Sequence, residues 1–178
     1  MSWLREEPQA QPALSDRAGA LSVACTLTLD GTDTLVLAPH PDLNELRGPV
    51  RPGHPQGRCV RYDIGLDAVD LSATVRPGVW CDIVEGERLR ARMSYDPRRR
   101  CILLDRAGFS DEDLPVPDGD RRVRVLLDAD ILEVFTAQAY GAYRIARGAD
   151  PSTTALVLSC EDAAVACLRL GRDDERRT

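Results

Sequence analysis

Leu89, Ala91, Met93 and Tyr95 alternate with Arg88, Arg90, Arg92 and Ser94, and this period of two recurs along most of the chain. Side chains of a strand point to opposite faces in turn, so such a run fits a sheet with one face on a core and the other in water. Leu21, Val23, Cys25, Leu27 and Leu29 alternate in the same way with Ser22, Ala24, Thr26 and Thr28. So do Val60, Tyr62, Ile64 and Leu66, and then Val69, Leu71, Ala73 and Val75. Further short apolar runs fall at 79–84, 101–104, 123–127, 131–135, 143–145, 155–158 and 163–170. Many short strands, with almost no helical periodicity, predict an all-β fold, an antiparallel sandwich or barrel, and the fold expected is a two-sheet antiparallel β-sandwich. Strands do not alternate with helices, which disfavours a parallel α/β sheet.

Turn chemistry divides the runs. Asp30-Gly31-Thr32-Asp33, Glu85-Gly86, Asp96-Pro97-Arg98-Arg99 and Asp128-Ala129-Asp130 each join two strands. Residues 41–48 read as one or two helical turns closed by Gly48. Pro49, Pro52, Gly53, Pro55 and Gly57 form the strongest punctuation, so 49–58 reads as a linker. The organisation expected is a β-hairpin remnant and connector at 1–48, the linker, a sandwich at 59–170 and a charged tail at 171–178.

The 178 residues suffice for one domain, and 43% apolar with 29% charged residues is ordinary for a soluble globule. No apolar run reaches the roughly 18 residues of a membrane helix, and the first residues do not resemble a secretory signal. The net charge of −6 disfavours nucleic acid and anionic lipid. All 23 basic residues are arginine, which pair readily with carboxylates at a surface. The triplet Arg98-Arg99-Arg100 has no interleaved aromatic and reads as a solvated turn. The six cysteines show no Cys-x-x-Cys spacing, and His40 and His54 lie in Pro-rich sequence. Neither a metal nor a cofactor is expected; the thiols read as buried, reduced small hydrophobes in a cytoplasmic protein.

Several segments together resemble glycoside hydrolase family 32, which contains invertases, levanases, inulinases and sucrose-6-phosphate hydrolases. Residues 126–135, Leu-Leu-Asp-Ala-Asp-Ile-Leu-Glu-Val-Phe, are similar to a hairpin in the family's C-terminal β-sandwich. Tyr95-Asp96 and Leu103-Leu104-Asp105-Arg106 are similar to the strand pair before it. Trp3-Leu4-Arg5-Glu6, Gly19-Ala20-Leu21-Ser22-Val23, Leu37-Ala38-Pro39-His40-Pro41 and residues 43–48 resemble the end of the last blade of its five-bladed propeller. Where the family usually has Pro-Arg, this chain has Ala24-Cys25.

The resemblance implies catalytic carboxylates that this chain lacks. Family members carry a nucleophilic Asp in an Asn-Asp-Pro-Asn-Gly-like motif, a stabilising Asp in Arg-Asp-Pro and an acid/base Glu in Glu-Cys. The Asp-Pro pairs here, Asp96-Pro97 and Asp150-Pro151, do not follow Arg, and Cys160-Glu161 reverses the third motif. A retaining glycosidase needs two carboxyl groups about 5–5.5 Å apart, and no pair is assigned to those roles. Asp128, Asp130, Glu133 and Phe135 are read as a structural hairpin, with the aspartates capping a tight turn and Glu133 pointing outward.

Trp80, Tyr140 and Tyr143 are the candidates for a sugar-stacking platform, whereas Tyr62 and Tyr95 fall on the apolar phase of their strands. The expected function is a non-catalytic module of a β-fructosidase-type glycoside hydrolase, a truncated gene product or a stand-alone interaction domain. The alternatives are a lectin-like carbohydrate-binding sandwich and one subunit of a split hydrolase acting on fructosyl sugars. The apolar face of Leu21, Val23, Leu27 and Leu29 needs cover from the sandwich, from a second copy or from a separate propeller chain.

Overall fold

The computed structural model describes residues 3–4, 20–29, 31, 33–106, 111–146, 148–160 and 162–168. The charged tail and residues 5–19 lie outside this set. Four strands precede the sandwich: β1 (Trp3–Leu4) pairs with β2 (Ala20–Leu21), and β3 (Cys25–Leu29) with β4 (Leu35–Pro39).

Two antiparallel sheets form the body, as the alternation predicts. One has seven strands. In spatial order they are β12 (Glu112–Pro115), β11 (Cys101–Arg106), β10 (Arg88–Asp96), β9 (Gly78–Glu85), β16 (Thr154–Leu158), β7 (Cys59–Asp63) and β6 (His54–Gln56). The other has six: β15 (Tyr140–Arg144), β14 (Ile131–Phe135), β13 (Arg122–Asp128), β8 (Val69–Thr74), β17 (Ala164–Leu168) and β5 (Arg47–Val50). No helix among the described residues is long and apolar enough to cross a membrane.

The inner faces meet in one core. Val69, Leu71 and Ala73 of β8, Val123, Val125 and Leu127 of β13, and Leu132 and Val134 of β14 line one side. Cys81 and Ile83 of β9, Met93 of β10, Ile102 and Leu104 of β11, and Leu156 and Leu158 of β16 line the other. Tyr62 and Tyr95 join them, as their phase predicts. Each such large side chain contributes about 1.5–3 kcal/mol when buried, which makes this core the main source of stability. Leu66, on the same sequence phase as Tyr62, instead lies past the end of β7 and is exposed.

The stretch read as a linker is corrected by the pairing. Residues 47–50 form β5 against β17, and residues 54–56 form β6 against β7. Both are edge strands, where proline is tolerated because one side of the strand needs no amide. Only Arg51, Pro52 and Gly53 separate them, so the chain passes from one sheet to the other in three residues. A Cβ on Gly53 would lie 2.8 Å from Cζ of Tyr62, so the crossing needs glycine there. The helical turn expected at 41–48 is shorter: a 3-10 turn spans Pro41–Asn44, and Gly48 belongs to β5. The opposite long side is fastened by side chains: Thr136 donates to the Pro115 carbonyl at 2.8 Å and Arg106 to that of Arg144 at 3.0 Å.

Candidate functional site

The outward face of the six-stranded sheet is unusual for a sandwich because much of it is dry. Alternation places Asp70, Leu126, Glu133, Phe135 and Ala166 on this face, and all five are buried. The cover comes from the N-terminal segment. Val23 donates its amide to Glu133 Oε1 at 2.8 Å, and β4 packs along β14.

Glu133 is 2% exposed. Its second oxygen, Oε2, accepts from the Tyr140 hydroxyl at 2.6 Å. Burial pushes the Glu133 carboxyl above the usual range, while the bonds from Tyr140 and Val23 pull the other way. The same burial raises the Tyr140 phenol. The sequence expectation of an outward Glu133 is right about the face and wrong about water: a segment 110 residues away seals it.

Asp70, which has no exposed surface, anchors the middle of the face. Arg124 donates to it twice, Nε to Oδ1 at 3.1 Å and Nη2 to Oδ2 at 2.7 Å. Arg47 of β5 adds a third contact at 3.0 Å. Three strands, β5, β8 and β13, are thereby tied through one carboxylate.

Between β4 and the sheet lies an open groove of about 430 Å³. Val36 and Leu37 wall one side, and Ser72, Thr74, Arg122 and Thr136 are among the residues on the other. The hairpin above it is unfinished as a layer. Leu27, Leu29 and Leu35 are 58%, 64% and 53% exposed, and β3 and β4 pair only with each other among the described strands.

The predicted platform aromatics do not come together on a surface. Trp80 is 1% exposed and packs in the core. Tyr143 is also core, with the Arg106 guanidinium 5.1 Å from its ring centre, and burial pushes its phenol up to about 12. Its phase is shared with the buried Ile145, a sequence signal that outweighs the adjacent turn. Tyr140 is half-buried and committed to Glu133. Asp128 and Asp130 flank a tight turn in which Ala129 takes a positive φ of 55°. Asp130 is buried and faces Arg144 at 3.6 Å; Phe135 stacks obliquely on Tyr140. The alternation carries no sign of the Val23–Glu133 contact or of the Arg47–Asp70–Arg124 cluster, because both join residues distant in sequence.

No protein-family model and no curated protein matches this sequence. Solved structures do. A GH32 beta-fructofuranosidase from Bombyx mori superposes with a TM-score of 0.63 at 22% identity, over 85% of this chain and 33% of that one. A glycoside hydrolase family 32 structure from Bifidobacterium adolescentis gives 0.65 at 18% identity, over 84% and 26%. An exo-inulinase from Aspergillus awamori gives 0.62 at 17% identity, over 89% and 37%. The chain spans only 26% to 37% of these proteins' lengths. The chain therefore has the fold of a β-sandwich segment found in glycoside hydrolase family 32 structures, and shares with them a minor part of their length.

Proposed function

We propose that this chain is a non-catalytic sandwich module of the β-fructosidase type. Its six-stranded sheet and β3–β4 hairpin receive a catalytic propeller, carried on the same polypeptide or on another. The observation behind this reading is the unfinished layer over the sheet: a two-stranded hairpin with exposed Leu27, Leu29 and Leu35, held on a face whose carboxylates are already buried. A hairpin of this kind is marginal alone, and its open edges favour pairing with further strands. The missing carboxylate motifs support a role other than hydrolysis. The lectin-like reading has less support, since Trp80 and Tyr143 are in the core. Six free cysteines suit a reducing compartment, and we place the module in the cytoplasm.

The test has two parts. The purified chain should release no fructose from sucrose, inulin or levan above a buffer control. Release that survives repurification and is abolished by a point substitution in this chain would overturn the non-catalytic reading. A propeller-only fragment of a family 32 enzyme should then co-sediment with the chain, and Leu27→Arg with Leu29→Arg should abolish that. Absence of any complex would overturn the docking reading.

A further inference from the structure

The backbone pairing described for the strap from 20 to 40 runs among the N-terminal strands, β2 with β1 and β3 with β4. Its polar tie is side-chain to backbone. Both oxygens of a buried carboxylate are used, one on the Val23 amide and one on the Tyr140 hydroxyl, which also interacts with Ser22. A carboxylate that binds a main-chain amide fixes the position of the chain whatever side chain stands there. We propose that Glu133 is the positioning residue that seats the β3–β4 hairpin on the six-stranded sheet in a single orientation. This deepens the docking reading above and rests on it, because the hairpin is the layer a partner would extend.

The groups around Glu133 make the seating sensitive to its charge. Tyr140 faces it from β15, Cys25 from β3, and the residue opposite on β13 is the apolar Leu126. The seated state therefore binds the proton more tightly than the released one. The hold is full below the ordinary carboxyl range and weakens as pH rises through the raised value.

The full chain, labelled at its methyl groups, is followed by NMR with no partner present, so failure to find a propeller partner cannot affect the result. Glu133→Ala should speed Val23 amide exchange about tenfold or more. It should also lower the order of the Val36 and Leu37 methyls while Leu71 and Ile83 stay rigid. In the unsubstituted chain the order of Val36 and Leu37 should fall as pH rises above the ordinary carboxyl range. Glu133→Gln should keep the hairpin seated and make it indifferent to pH. The proposal is overturned if Glu133→Ala leaves the hairpin as ordered as before, or if core and hairpin loosen in step. It is equally overturned if Glu133→Gln retains the pH response. Should Glu133→Ala not fold, Glu133→Met carries the same comparison, since it fills the space of the side chain and removes the acceptor of the Val23 amide.

Discussion

Arg124 grips Asp70 with two parallel hydrogen bonds, and the carboxylate they hold has no exposed surface. Bidentate pairing of this kind fixes geometry as well as charge. With Arg47 on the far side, one aspartate joins the edge strand β5 to the centre of its sheet. Removing it strands two guanidinium groups. Asp70→Ala should cost about 3–5 kcal/mol, the range for breaking one side of a buried pair. Asp70→Asn, which keeps an acceptor, should cost less. Urea denaturation reads both as a lower midpoint with an unchanged slope. A loss below about 1 kcal/mol for Asp70→Ala would show that the cluster is replaced by water.

The N-terminal boundary can be placed by shortening the chain. A chain beginning at Pro41 keeps β5, β6 and Arg47 and should fold with the sandwich intact. One beginning at Cys59 loses an edge strand from each sheet and the third contact to Asp70. It should unfold at clearly lower urea. Equal midpoints would mean that residues 41–58 add nothing to the body. Sedimentation of the full chain and the shorter ones tests the hairpin: removing exposed Leu27, Leu29 and Leu35 should reduce any association.

The thiols should divide by burial. Cys81, Cys101 and Cys160 are buried, and burial raises all three above the usual thiol value. The thiolate is the reactive form, so these should resist labelling at pH 8. Native protein should show no more than three reactive thiols, at Cys25, Cys59 and Cys167, and unfolded protein all six. Fewer than six after unfolding without reductant would reveal a disulfide.

Asp120 offers a pH test. The side-chain hydrogen bond from Arg122 holds its carboxyl down to about 2. A depressed carboxyl stabilises above its ordinary range, and that contribution is lost as pH falls through the folded value. Arg122 is largely exposed, so the energy is small in spite of the shift. Arg122→Ala should return Asp120 to near its ordinary titration by NMR and leave the urea midpoint almost unmoved. A large change in midpoint would mean that the pair does more than its exposure allows.

The sandwich strands were legible because each inner-face residue is apolar and each outer one mostly is not, as in β10. Edge strands carry a weaker signal. β5, β6 and β12 contain Pro49, Pro55 and Pro115 and few apolar residues, features an edge tolerates and a central strand does not. The docking face was half legible. Period two places Glu133 and Asp70 outward, but whether outward means wet depends on a strap more than a hundred residues from Glu133. Trp80 shows the limit from the other direction. It and its neighbour Cys81 are both buried, so alternation fails at the start of β9.

The three-residue passage from β5 to β6 gives the two layers a spine. Along that margin the sheets are joined by covalent chain, with Gly53 pressed against Tyr62. Along the other the chain crosses again, from β12 to β13 through residues 116–121, and Thr136 and Arg106 reach across to carbonyl oxygens. Both margins of the sandwich are thereby closed by chain, so neither can part as a free edge would.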